Sequence, residues 1–260
     1  MTLPKVSIIT PSYNQAPFLE DTIRSILDQD YPNLEYIIID GGSTDGSIEI
    51  IKKYADRLAF WISEPDQGQT DAINKGFSHA TGEIFAWLNS DDTYEPGAVR
   101  KALEALQKHP EVSMVYGEAN FINNTGKVIG KFPAAQTDYQ KLRNGFVHIP
   151  QQASFFRAKY YQKVAPLDTS FYFAMDYDLW VRLAELAPFV FVKDTWANFR
   201  LHDDAKSIAA DDRCWPEMLR VHRRLGGGIF SVIYGKYILR VILGPILRWR
   251  RRYWLKQQSS

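Results

Sequence analysis

The sequence predicts an α/β fold with a largely parallel central sheet flanked by helices, and three observations predict it. Short apolar, β-branched runs alternate with helix-length amphipathic stretches through the first 110 residues, the pattern of βαβ units. The apolar run Ile84-Phe85-Ala86-Trp87-Leu88 empties directly into Asn89-Ser90-Asp91-Asp92, which puts two adjacent acids at the carboxyl edge of a sheet, where open α/β sheets bind ligands. At 260 residues the chain is long enough for one large α/β domain and too short for two of that kind.

The elements follow in order. Val6 to Thr10 is a β-rich run closed by Pro11-Ser12-Tyr13-Asn14, after which Phe18, Leu19, Ile23, Ile26 and Leu27 mark one side of a helix. Leu34 to Ile39 is a second strand, ending in Asp40-Gly41-Gly42-Ser43-Thr44-Asp45-Gly46. A helix over about 46–55, a short strand at Phe60-Trp61-Ile62 and a helix over about 69–79 lead into the strand before Asp91-Asp92. Right-handed crossovers give these strands one direction, so Tyr13, Asp40 and Asp91-Asp92 are expected on one rim. Beyond residue 110 the alternation loosens. Val112 to Tyr116, Ala153 to Phe156 and Phe189 to Val192 are strands, and Phe121 to Phe132 is a hairpin turning at Asn123-Asn124-Thr125-Gly126. Asp176 to Leu186 is an amphipathic helix with Leu179, Trp180, Leu183 and Leu186 inward.

Net charge of +1 hides an asymmetry: residues 1–212 sum to about −9 and residues 213–260 to about +10. The tail is apolar and aromatic from Ile229 to Leu255, with Lys236, Arg240 and Arg248 along one helical stripe and Arg250-Arg251-Arg252 near its end. Its cations and Gly244-Pro245 interrupt any spanning helix, and an interfacial helix with snorkelling cations on an anionic membrane surface fits better. A helix packed on the body or on a second subunit is the alternative. The single cysteine, Cys214, excludes an internal disulfide. The N-terminus runs straight into a strand without a signal peptide, so a cytoplasmic protein, peripheral on the inner face of the cell membrane, is expected. No nucleic-acid partner is expected.

Two neighbouring carboxylates repel and are more stable as anions beside a cation or ligand hydroxyls. Hard oxygen ligands suit Mg²⁺ or Mn²⁺ carrying a phosphate-bearing substrate; a solvated turn capping the helix near Pro96 is the plainer reading. Pro11-Ser12-Tyr13-Asn14, Asp40-Gly41-Gly42-Ser43-Thr44-Asp45-Gly46-Ser47 and Asn89-Ser90-Asp91-Asp92 together resemble the signature of family 2 glycosyltransferases with the GT-A fold, over about residues 4–205. The resemblance extends to bacterial surface-polysaccharide (O-antigen or capsule) enzymes through Asp71-Ala72-Ile73-Asn74-Lys75-Gly76. It implies a Rossmann-like nucleotide half (1–110) and an acceptor half (111–212), followed by the basic amphipathic tail (213–260).

The same resemblance implies roles residue by residue. Pro11, Ser12 and Tyr13 would hold the base, Asp40 would accept from the imide N–H of a uracil or thymine, and Asp91 would contact the ribose. Asp92 would bind the metal, joined by His202, while Arg200 or Lys206 would meet phosphate oxygens. Gly68 would let backbone approach the donor. Each has a structural alternative: helix-entry packing for Tyr13, an Asp-Gly turn for Asp40, a helix-entry glycine at 68, and surface or core filling for His202. Asp66 and Ile73 stand where many members carry Asn and Arg. Met175-Asp176-Tyr177-Asp178 resembles the family's Glu-Asp motif, with Met175 replacing the glutamate and Asp176 retained as the base; both acids could instead serve the helix N-terminus. The function implied is a metal-dependent, inverting glycosyltransferase of hexosyltransferase type, moving a sugar from a UDP- or dTDP-sugar to a hydroxyl of a lipid-linked saccharide acceptor. The rivals are a non-catalytic GT-A-like membrane assembly subunit and a sugar-nucleotidyltransferase; the latter usually opens on a Gly-rich triphosphate loop, where this chain has Pro11-Ser12-Tyr13-Asn14.

Overall fold

Strand β1 (Val6–Ser12) is buried along its whole length, and its alternating side chains enter two different cores. Ile9 joins Ile37, Ile39, Trp87 and Phe156 on one side, while Val6 and Ile8 join Ile38, Ala86 and Phe155 on the other. A period of two with apolar residues on both faces requires helices above and below the sheet. They are present in the computed structural model, which describes residues 3–202 and 211–243. Helices α1 (Ala16–Leu27), α2 (Ser47–Lys53) and α4 (Ala98–Lys108) cover one face. Helices α3 (Gln69–His79), α6 (Ala158–Val164) and α7 (Met175–Leu186) cover the other. Each buried Ile or Leu contributes about 1.5–3 kcal/mol relative to exposure. A Cβ on Gly76 would lie 2.5 Å from the Ile9 side chain, so α3 rides on β1 at a distance only glycine permits.

The nine-stranded sheet has the order β3-β2-β1-β4-β8-β6-β9-β5, with β7 (Val128–Lys131) paired to β6. Strands β1, β2 (Leu34–Asp40), β3 (Phe60–Ser63) and β4 (Ile84–Trp87) are parallel, as the alternation predicts. Strand β8 (Ser154–Arg157) then enters antiparallel between β4 and β6 (Met114–Ile122). Strand β9 (Phe189–Arg200) is parallel to β6, and β5 (Thr93–Tyr94) is antiparallel to β9. The expected hairpin forms between β6 and β7, where Asn123 Oδ1 accepts from the N–H groups of Thr125 and Lys127. Short helix α5 (Tyr139–Arg143) follows.

Two boundaries differ from expectation. Strand β9 continues past Val192 to Arg200, because the polar Asn198 that interrupts its apolar pattern is held by Asn120, Thr93 and Glu95. The expected division at 212/213 falls inside helix α8 (Asp211–Arg224), whose Val221 is fully buried in the same core as Trp180. The opening of the tail is therefore packed as part of the body. Residues 232–243 form helix α9. Lys206, and the tail from Gly244 onward with Arg248, Arg250, Arg251 and Arg252, lie outside the described residues.

Candidate active site

Strand register places the motif residues. Ser12 pairs with Asp40 and Asp40 with Ser63, so three strands end at one level. Ile9 pairs with Trp87, which carries Asn89 to Asp92 just past that level on the next strand. Strand β6 runs in the same direction as β4, both being antiparallel to β8, and Ile122 at its end pairs with Arg200. The carboxyl edge therefore gathers Tyr13, Asp40, Asp91-Asp92 and Arg200–His202 from four loops. This is the edge where open α/β sheets bind ligands.

The first two loops are stapled together. Asn14, at φ 51°, donates its N–H to Ser43 Oγ at 2.8 Å and accepts from Thr44 N–H at 2.9 Å. Tyr13 projects outward, 61% exposed, with an aromatic face free for a planar ligand, whereas Pro11 and Ser12 are buried in the end of β1. Asp40 is fully buried. Its carboxylate accepts from Gly42 N–H, Ser43 N–H, Ser43 Oγ and Ser63 Oγ at 2.5–3.1 Å, so it builds the turn. Oδ2 takes three of the four donors and Oδ1 only one, leaving Oδ1 the oxygen with acceptor capacity to spare. Against this turn lies Asp66, whose Oδ2 is 2.7 Å from where a Cβ on Gly41 would stand. Gly68, at φ 107°, opens α3 with nothing within 4 Å of its Cβ direction, and its N–H is held by Asp66 Oδ1.

At the third loop the two acids point differently. Asp92 is fully buried: Oδ1 accepts Arg200 N–H at 2.9 Å and Oδ2 accepts from Asn89 at 3.2 Å. Burial first, and the charge of Asp91 second, hold its carboxyl well above the usual range. Asp91 is the outward acid, and its Oδ2 lies 3.1 Å from His202 Nε2. The expectation that Asp92 joins His202 at a metal is corrected here: His202 meets Asp91 instead, because Arg200 N–H and Asn89 hold the Asp92 carboxylate inward. Arg200 also departs from expectation. Its guanidinium is 1% exposed, donating to the carbonyls of Asp91, Asn123 and Asn124 and to Asp21 Oδ2, and it packs over Phe18. Its donors brace the Asp91 loop, and none is turned outward toward a phosphate.

Asp176 arrives from the other half. The carbonyls of Leu183 and Ala187, at the C-terminal end of α7, meet Ser113 Oγ just before β6 starts, so α7 runs opposite to β6 and aims its N-terminus at the carboxyl edge. One turn into α7, Trp180 stacks on Trp87 at a centroid distance of 5.4 Å, two residues before Asn89. Asp176 therefore stands at the rim, partly exposed, with Oδ1 accepting Tyr177 N–H at 2.6 Å. Asp178 points away, fully buried and bonded to Arg182 Nε at 2.9 Å, as opposite projection of i and i+2 requires.

The family profile for glycosyl transferase family 2 matches residues 7–165, more than half of the chain. The chain belongs to glycosyl transferase family 2. An uncharacterized glycosyltransferase of Mycobacterium tuberculosis is 32% identical to this transferase over 241 residues, covering 89% of this chain and 90% of the relative. A Bacillus subtilis glycosyltransferase named for teichuronic acid biosynthesis, TuaG, is 40% identical over 108 residues, 40% of this chain and 43% of that protein. Among solved structures, S. aureus TarS 1-349 in complex with UDP aligns with a TM-score of 0.66 at 16% identity, covering 84% of this chain. The mannosyltransferase PcManGT of Pyrobaculum calidifontis, in complex with GDP-Man and Mn²⁺, aligns at 0.65 and 22%, covering 86%. The transferase spans 64% and 65% of those two chains, and the likeness shows that it has their GT-A fold.

Gln151, which the sequence offers as an acceptor contact or as loop packing, braces the end of β4, together with Gln69, which sequence reasoning missed. Gln69 Nε2 donates to Asn89 Oδ1 at 2.7 Å, and Gln151 Nε2 donates to the Trp87 carbonyl at 2.7 Å. Amides carry no charge signal in a sequence; only their convergence under the Asp91 loop distinguishes them.

Proposed function

We propose that this glycosyltransferase is metal-dependent and inverting, and moves a sugar from a UDP- or dTDP-sugar to a hydroxyl of a lipid-linked saccharide acceptor during surface-polysaccharide synthesis. The observation that carries the proposal is the Asp91–His202 pair, 3.1 Å apart at the rim it shares with Tyr13, Asp40 and the N-terminus of α7. One carboxylate oxygen and one imidazole nitrogen fit a partial shell for Mn²⁺ or Mg²⁺, the remaining ligands being diphosphate oxygens and water. Among the described residues no group of three such side chains is present, so the proposal rests on this pair and on substrate oxygens. When bound, such an ion offsets negative charge on the departing diphosphate. Tyr13 stacks on the base, Asp40 shapes the turn that receives it, and Asp91 and His202 orient the diphosphate end. Asp176 takes the proton from the acceptor hydroxyl as that oxygen attacks the anomeric carbon, and a single displacement inverts the configuration there. The names of relatives support the setting: TuaG is named for teichuronic acid biosynthesis, and TarS has been solved with UDP and with UDP-GlcNAc.

Thermal melting against a panel of nucleotide sugars tests the donor class. UDP- or dTDP-sugars are expected to raise Tm in the presence of Mn²⁺ and to lose that effect in EDTA, because only native-state binders stabilise. Equal shifts with and without the cation, or a shift with GDP-mannose alone, would sink the assignment.

The proposed seat on an anionic inner membrane face draws on the C-terminal segment. Phe230 is 99% exposed, and Ile229, Ile238, Val241 and Ile242 are exposed with it, the last three sharing one side of α9. No helix among the described residues is long and apolar enough to cross a membrane. Replacing Ile238 and Ile242 by Ser is expected to weaken co-sedimentation with vesicles containing phosphatidylglycerol by about 100-fold or more, since each side chain contributes roughly 1.5–3 kcal/mol when buried. Unchanged sedimentation would end the membrane proposal.

A further inference from the structure

Helix α8 carries Glu217, Arg220 and Arg224 at i, i+3 and i+7, one face of the helix, and all three engage the chain entering α7. Glu217 Oε1 accepts Tyr172 N–H at 2.9 Å, while Oε2 accepts Phe173 N–H at 2.7 Å and Ala174 N–H at 2.9 Å. Arg220 lies over the Phe171 ring at 3.7 Å. Arg224 pairs with buried Asp178 and reaches Asp168 at 3.9 Å. Three successive backbone N–H groups converging on one carboxylate form an anion-holding nest, and the charge strengthens each bond.

The location gives this contact its meaning. Ala174 is the residue that opens α7, and it brings no side-chain cap of its own. Asp176 follows two residues later. Cys214, one turn before Glu217, lies beside both acids: burial, then the charges of Asp176 and Glu217, push its thiol up to about 12. We propose that Glu217 is a positioning residue for sugar transfer, fixing the backbone from which Asp176 reaches the acceptor, so that helix α8 completes the active site. Glu217 lies beyond the 7–165 region matched by the family profile, so the family motifs do not supply this contact. The role rests on Asp176 being the base. Glu217 touches the Tyr172–Ala174 backbone, at the entry to α7, and the loops that carry Tyr13, Asp40 and Asp91 are built without it.

The test uses the full-length chain with the UDP- or dTDP-sugar that the wild type turns over fastest, read as diphosphate release. E217A is expected to lower kcat by between about tenfold and 100-fold, the scale of an ångström-level misplacement, with donor KM within about twofold of wild type. E217Q, which keeps one acceptor oxygen, should fall between E217A and wild type. The thermal shift produced by UDP with Mn²⁺ should be the same in all three, which shows a folded donor site. Wild-type kcat in E217A beside an inactive D176N overturns the positioning role alone. So does a loss of kcat that only tracks the fraction of folded protein. Wild-type kcat in D176N overturns the base assignment instead.

Discussion

Asp176→Asn is expected to reduce kcat by about 10²–10⁴-fold, the usual contribution of a positioned general base. The substitution preserves shape, and its amide oxygen can still accept the Tyr177 N–H that Asp176 Oδ1 now holds. Stability and donor binding should therefore stay near wild type, because Tyr13, Asp40 and Asp91 stand on other loops. Steady-state turnover, together with melting in UDP and Mn²⁺, separates the two effects. Full activity in this variant would move the base elsewhere, and Asp178 would be a poor substitute. That carboxylate is fully buried and bonded to Arg182.

The metal assignment makes the second large prediction. Asp91→Asn and His202→Ala are each expected to cut Mn²⁺-supported turnover by about 10²–10³-fold, the scale of losing one preorganised group that stabilises developing charge. Each should also abolish the Mn²⁺-dependent part of the UDP thermal shift. Asp92→Asn is the control. Its side-chain oxygen can still accept Arg200 N–H, and it removes a carboxyl held above its usual range by burial and by Asp91. A raised carboxyl favours the folded state below its unfolded pKa of about 3.9, and that advantage is lost as pH rises through the folded value. The wild type should accordingly lose stability over that window, and the Asn variant should not. If Asp92→Asn removes the metal response while Asp91→Asn keeps it, the two acids have been exchanged.

The rim was legible because each of its first three loops follows an apolar strand of period two, and parallel strands share their ends. Tyr13, Asp40 and the Asp91-Asp92 pair could thus be grouped before any coordinates. Which of two adjacent acids faces outward could not. Direction depends on Arg200 N–H and Asn89 capturing Asp92, and both contacts are fixed by tertiary packing. Arg200 misled for a related reason: an arginine beside a histidine suggests phosphate, yet the guanidinium is used up on the carbonyls of the β6–β7 turn. Glu217 gave no signal at all. A single acid in a basic segment looks like surface, and its three partners are backbone groups 43–45 residues away.

Strand β8 has a consequence for how substrates arrive. It is hydrogen-bonded to β4 on one side and β6 on the other, so the parallel strands β1–β4 and the later strands β6 and β9 belong to one sheet. Hinge bending between them would have to strain that ladder, which works against a clam-like closure. Access to the rim then falls to segments that lie off this sheet, among them the 132–150 excursion before β8. New acceptor preferences could then evolve by exchanging those segments, with the framework left untouched.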